Sequence, residues 1–171
     1  TTLLRLLLKL YPYPEGKLRF FGQEIGACSR DSVRGSVAYV PQENIIFPGT
    51  IRENVLWGNR RDGVLDGEIL DVFARLGADG WIKSAGLDSI LQEGGANISG
   101  GQRQLIAIAR AVLYQKPVLI LDEALAAVDE AHIGEIMDFL SEMRENMDIL
   151  IVTHDRQVMK RCGSVVEMKR E

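Results

Sequence analysis

Two short and almost uninterrupted apolar runs, Val118-Leu119-Ile120-Leu121 and Ile149-Leu150-Ile151-Val152-Thr153, constrain this chain more than any other feature. Between them Ile133, Ile136, Met137 and Leu140 recur at the spacing of one helix face. A strand that is apolar on both sides must be covered on both. Two such strands joined by an amphipathic helix therefore predict a parallel, covered sheet in an α/β fold. Val37–Val40 reads as another short strand, stopped by Pro41-Gln42.

The rest of the chain fits around that sheet. Leu3, Leu4, Leu7, Leu8 and Leu10 read as a buried helix that Pro12 and Pro14 end. Lys17 to Ile25 reads as a hairpin turning at Gly22-Gln23. From Ile51 to about Leu91 the signals are helical, with Gly58, Gly63, Gly77, Gly80 and Gly86 as punctuation. Gly94-Gly95 leads into a long apolar helix from Ser99, on which Leu105, Ile108, Ala109 and Val112 face inward. Pro117 ends that helix. No internal repeat or low-complexity tract is visible.

Composition narrows the class without choosing a function. A chain of 171 residues, 46% hydrophobic and 26% charged, is an ordinary globular domain with room for a core. A net charge of −4 argues against a broad nucleic-acid footprint. No apolar run approaches the ~20 residues needed to cross a bilayer, and Leu3–Leu10, broken by Arg5 and Lys9, lacks the cleavage site of a signal peptide. Cys28 and Cys162 are far apart and outside any metal-ligand spacing, which suits a reducing compartment. The opening on Thr1, without a methionine and inside an apparent helix, reads as that of a segment of a longer protein.

Chemistry collects where strands end, because ligands of open α/β sheets sit at the strands' carboxyl ends. Asp122-Glu123 ends one apolar run, His154 follows the other, and Gln42 follows Val40. In that position Asp122 is suited to hold Mg²⁺ through water, Glu123 to polarise or deprotonate an attacking water, and His154 to hydrogen-bond a γ-phosphate and that water. Gln42 is suited either to ligate the metal or to position the water, or simply to cap the turn after Pro41. Ile98-Ser99-Gly100-Gly101-Gln102 places glycine-rich backbone at a helix start, where free N–H groups attract phosphate. Together these features spell nucleotide hydrolysis. Each alone has a plainer reading: Ser-Gly-Gly as a flexible helix start, Asp-Glu as a solvated strand edge, His154 as a structural polar residue. His132 reads as a solvated helix residue, and Arg103 and Arg110 as solvating the helix or pairing with acids.

Taken together, the motifs resemble the nucleotide-binding domains of ABC transporters, in order and spacing along the entire chain. Ile98–Gln102 looks like their signature motif, with Ile in the usual Leu slot, and Val118–Glu123 like their Walker B strand plus catalytic glutamate. Val40-Pro41-Gln42 matches the Q-loop and Thr153-His154-Asp155 the histidine switch. Phe47-Pro48-Gly49-Thr50-Ile51-Arg52-Glu53-Asn54-Val55 and Gln92-Glu93-Gly94-Gly95 are similar to segments of the exporter branch. The resemblance implies a P-loop NTPase (RecA-like) fold: a mostly parallel sheet core of residues 1–43 and about 116–171, a helical subdomain of about 44–115, and a small antiparallel hairpin region. It implies ATP and Mg²⁺ as cofactors, Glu123 and His154 as catalytic, and Thr1, Gln42 and Asp122 around the metal. Thr1 and Thr2, Gln42, Ser99, Gly100, Gly101, Gln102 and Asp129 would contact nucleotide, although Thr1 and Thr2 also suit ordinary helix N-caps.

The family's phosphate loop would lie immediately before Thr1, so this stretch alone is expected to bind ATP poorly. The usual Ser-Ala-Leu-Asp of the D-loop stands here as Ala126-Ala127-Val128-Asp129, without the serine hydroxyl. In the resembled family the signature acts in trans, which implies a second nucleotide-binding domain as partner and an attached transmembrane domain, at the cytoplasmic face of a membrane. No nucleic-acid partner is expected. Two alternatives stand beside an exporter ATPase: a soluble ABC-type ATPase linked to DNA repair, chromosomes or translation, and a non-catalytic nucleotide-dependent interaction module.

Overall fold

A computed structural model describes residues 2–12 and 16–168. Thr1 and Pro14 lie outside them. The described elements, in chain order, are α1 (Thr2–Leu7), β1 (Arg19–Phe20), β2 (Gln23–Glu24), α2 (Arg30–Gly35), β3 (Val37–Val40), β4 (Gly49–Thr50), α3 (Ile51–Leu56), α4 (Asp66–Arg75), α5 (Asp79–Ala85), β5 (Ile90–Leu91), α6 (Gly100–Leu113), β6 (Val118–Asp122), α7 (Glu130–Met143), β7 (Asp148–Val152) and α8 (Arg156–Arg161). A single turn of 3-10 helix, Glu93–Gly95, precedes α6.

The parallel sheet expected from the apolar runs is present, in the order β3-β6-β7. Val37 to Val40 pair with Val118 to Leu121, and Val118 to Asp122 pair with Asp148 to Val152. All three strands therefore deliver their carboxyl ends to one edge. Alternation sorts the side chains between two faces. Ala38, Val40, Leu119 and Leu121 join the large core built with α3–α7, and Ile149 and Ile151 pack against it. Val37, Ile120 and Tyr39 turn the other way, onto Leu4 and Leu8 of the α1 segment.

α6 is buried over most of its circumference, through Ile106, Ala107, Ile108, Ala109, Ala111, Val112, Leu113 and the polar Gln104, while Leu105 is only half-buried. The inward face of α7 is Ile133, Ile136, Met137, Phe139 and Leu140, which includes the four positions picked out by periodicity.

Three local expectations need correction. α1 ends at Leu7, well before Pro12: Lys9 adopts a left-handed φ of 51° and lends its ammonium to the carbonyls of Ile25 and Cys28. Arg34 then takes up the Leu8 and Lys9 carbonyls at 3.1 and 3.2 Å, so α2 supplies a cap where the prolines were expected to end the helix. The hairpin turns one residue early, at Phe21-Gly22, both with positive φ (47° and 78°), as a tight two-residue turn requires. The stretch 51–91 is not wholly helical, because Ile90–Leu91 pairs antiparallel with Gly49–Thr50. Two-residue strands carry no periodicity from which a ladder can be read.

Candidate functional site

The carboxyl ends of β6 and β7 carry the charged groups. Asp122 is the last residue of β6 and only 1% exposed. Glu123 extends the ladder by one bond, its N–H donating to the Val152 carbonyl at 2.9 Å. It does so with φ at +53°, a left-handed conformation that costs a residue with a Cβ ~1–3 kcal/mol. That turn swings the side chain toward the end of the neighbouring strand. There His154 Nδ1 lies 3.0 Å from Glu123 Oε2, with the carboxylate mostly covered and the imidazole mostly exposed. The hydrogen bond to Glu123, and then its negative charge, raise the His154 pKa above the usual imidazole value. Thr153 fixes the exit from β7, its hydroxyl accepting from the Asp155 N–H at 3.0 Å, and Asp155 caps α8 through the Gln157 N–H.

Asp122 is anchored on one side only. Its Oδ2 accepts from the Tyr39 hydroxyl at 2.9 Å, whereas its Oδ1 is buried and has no hydrogen-bond partner among the described residues. Burial, together with the hydrogen bond to Asp122, pushes the Tyr39 hydroxyl up to about 12, so it remains protonated and a donor. A bare, buried carboxylate oxygen is costly and suits a hard cation. No cluster of three or more His, Cys, Asp or Glu able to hold a metal occurs among the described residues. A lone carboxylate such as that of Asp122 fits Mg²⁺, which is held by one or two carboxylates together with substrate phosphates.

The second candidate region, 98–102, is built without charge. Ser99 Oγ accepts from the Gln102 N–H at 3.1 Å, and Gln102 Oε1 accepts from the Ser99 N–H at 2.9 Å, a reciprocal capping box. Behind it, a Cβ on Gly101 would lie 2.9 Å from the Ala127 carbonyl, which only glycine avoids. Gln104 Oε1 accepts from the Ala127 N–H at 2.9 Å. The first turn of α6 thus rests directly on the backbone of Ala127. Gly100 has only ordinary contact there, with Ala127 Cβ at 3.7 Å. Asp129 is exposed and caps α7, accepting from the Ala131 N–H at 3.2 Å.

The structure brings Asp122, Glu123 and His154 to one strand edge, and joins Ser99–Gln102 to the loop that follows Glu123. Gln42 lies beyond the end of β3 with its side chain exposed. Thr2 begins α1 and is exposed, and Thr1 lies outside the described residues.

Several polar residues have jobs that their sequence positions did not announce. Arg103 pairs with no acid among the described residues; it donates to the carbonyls of Gly95 and Ile98, both at 3.1 Å. Arg110 donates to the carbonyls of Asn54 (2.7 Å) and Ile45 (3.1 Å), tying the loop after Gln42 to α3 and α6, and burial lowers its pKa. Asn54, buried, accepts from the Phe47 N–H and donates to the carbonyls of Phe47 and Thr50. His132 is half-buried, its ring packed where a Cβ on Gly77 would stand. Only the partner of Tyr39 had a sequence signal: an aromatic on β3 lies diagonal to the terminal Asp of β6 once the two strands are paired in parallel.

A family model described as "ABC transporter" matches residues 1–126. The chain belongs to the ABC transporter family. It is 35% identical to an ATP-dependent lipid A-core flippase of Desulfotalea psychrophila, an alignment covering 99% of this chain and 30% of the flippase. It is 34% identical to YheI of Bacillus subtilis, a probable multidrug resistance ABC transporter ATP-binding/permease protein, over 98% of this chain and 29% of YheI. It is 30% identical to the glutathione/L-cysteine transport system ATP-binding/permease protein CydC of Escherichia coli, over 98% of this chain and 29% of CydC. The chain therefore spans about 30% of the length of these relatives. A solved bacterial Atm1-family ABC exporter with ATP bound superposes with a TM-score of 0.84 at 28% identity, covering 92% of this chain and 28% of the exporter. The fold is accordingly that of a P-loop NTPase, here in the ATP-binding domain of an ABC transporter. No helix among the described residues is long and apolar enough to cross a membrane.

Proposed function

We propose that this chain is the ATP-hydrolysing domain of an exporter, driving transport by ATP-dependent pairing with a second such domain. The reading rests above all on the Glu123–His154 pair, 3.0 Å apart at the strand edge where β6 ends in Asp122. Glu123 takes the proton of the attacking water, or polarises it. His154 holds the Glu123 carboxylate in place and reaches the γ-phosphate. Asp122, with Gln42 and Thr1, would hold Mg²⁺, which would supply positive charge to offset that of the phosphates. Thr2 meets the phosphates at the start of α1.

Ser99, Gly100, Gly101 and Gln102 present the start of α6 to nucleotide carried by the partner, and Asp129 joins them across the same boundary. Residues 1–43 and about 116–171 form the catalytic core, and about 44–115 the helical subdomain. The partners are a second nucleotide-binding domain and a transmembrane domain, at the cytoplasmic face of a membrane; no nucleic acid is involved.

The protein, purified as its gene encodes it, should hydrolyse ATP with Mg²⁺. Its Glu123→Gln variant should hold ATP and remain paired on size-exclusion chromatography. A parent without turnover, or a Glu123→Gln variant whose assembly ignores ATP, would contradict the proposal.

A further inference from the structure

We infer that Tyr39 is a positioning residue for the metal site: its hydroxyl fixes one oxygen of Asp122 so that the other is presented to the cation. The inference rests on the reading of Asp122 as the metal-holding carboxylate. In the register of β3 against β6, Tyr39 stands opposite Ile120, which places Asp122 two residues further along on the same face. A diagonal neighbour at that offset is within reach of a long aromatic side chain. The ring is packed against the cluster of Leu4, Leu8, Val37 and Ile120, so the hydroxyl cannot wander. It donates to Asp122 Oδ2 at 2.9 Å.

The other half of the carboxylate is what gives this bond a consequence. Asp122 is 1% exposed, and its Oδ1 is buried with no partner among the described residues. With Oδ2 tied, the carboxylate plane is set and Oδ1 has one direction left. Hydrogen-bonded partners of ligating carboxylates orient them in this way, and their removal weakens metal binding by 10–100-fold in typical cases. Without the hydroxyl the carboxylate could rotate to bury both oxygens less badly, and the cation would have to pull it back.

The test uses the protein as its gene encodes it, saturated with a non-hydrolysable ATP analogue. Mn²⁺ replaces Mg²⁺, and free Mn²⁺ is read by electron paramagnetic resonance. Tyr39→Phe keeps the ring and its apolar contacts and deletes one O–H. Its Mn²⁺ affinity should fall about tenfold, while analogue binding in EDTA stays unchanged. A 4-aminophenylalanine incorporated at position 39 restores a donor at the same place and should recover most of the loss.

A lower melting temperature with unaltered Mn²⁺ affinity would make Tyr39 merely structural and overturn the inference. So would a 4-aminophenylalanine protein that binds Mn²⁺ as weakly as Tyr39→Phe. Asp122→Asn separates the two levels. If it binds Mn²⁺ like the parent, the metal reading falls and takes this inference with it. If it binds weakly while Tyr39→Phe does not, only the inference falls. In the double variant Mn²⁺ should bind no more weakly than in Asp122→Asn alone; a further tenfold loss would show Tyr39 acting elsewhere.

Discussion

The two candidate regions of this chain are built on opposite plans. At the ends of β6 and β7 the groups are charged and incompletely satisfied: Asp122 keeps a bare oxygen, Glu123 sits in a left-handed conformation, and His154 is exposed. At the start of α6 the side chains of Ser99 and Gln102 close on each other's backbone, and Gly101 touches the Ala127 carbonyl with no room to spare. On the proposed reading, the first region would change partners and move a proton, and the second would keep one shape and offer backbone to the partner domain. Strain and missing partners therefore mark chemistry, and complete satisfaction marks a contact platform.

The largest effect should come from the first region. Glu123→Gln keeps the side chain's shape and removes its basicity, so steady-state ATP turnover should fall ~10²–10⁴-fold with ATP still bound. An equal fall in turnover from Ser99→Ala, at unchanged ATP binding, would break the contrast, because it would give the platform a share of the chemistry.

Next come the two glycines of the platform, which separate fit from function. In Gly101→Ala the new methyl meets the Ala127 carbonyl at 2.9 Å, and a backbone atom cannot swing aside. Overpacking of this kind costs ~1–3 kcal/mol, read as a lower midpoint in urea unfolding. Gly100→Ala meets only ordinary contacts near 3.7 Å and should be neutral or up to about 1 kcal/mol stabilising. Equal loss in both variants would mean that the Ala127 contact is not what selects glycine. Ser99→Ala follows at about 1 kcal/mol, the usual worth of an N-cap. Ser99→Asp, which still caps, should recover that stability.

How far the sequence reached follows the same division. The sheet, its parallel sense and the strand-end residues were legible because buried strands are written as continuous apolar runs whose ends are visible in the chain. The α6 start was legible from Ser99 and the glycines. The role of Gly101 was not, since it depends on Ala127, a neighbour in space but not in sequence. Arg103 and Arg110 were misread for a related reason: their partners are carbonyls, which every residue carries and no residue type advertises. The α1 terminus was misplaced because its cap, Arg34, is supplied from another helix. The β4–β5 ladder escaped because each strand is two residues long.

The smallest expected effect, and the finest test of the strand-end plan, is the titration of His154. Its pKa is raised, first by the hydrogen bond to Glu123 and then by that carboxylate's charge. A raised value means that the folded chain holds the proton more tightly than the unfolded one. The stabilisation from the pair is therefore fully present below the ordinary imidazole value of ~6.5 and is lost as pH rises through the raised value. His154 is almost fully exposed, so solvent screens the pair and the effect on global stability is small. The proton itself is the better probe. Followed by NMR, the imidazole midpoint of His154 should lie above ~6.5 in the parent and return toward it in Glu123→Gln, where the negative charge is gone. With 2 histidines in the sequence, a His132→Gln variant assigns the signal. Identical midpoints in the parent and Glu123→Gln would mean that the two side chains do not hold each other in solution. The left-handed turn at Glu123 would then lose its explanation as the device that brings them together.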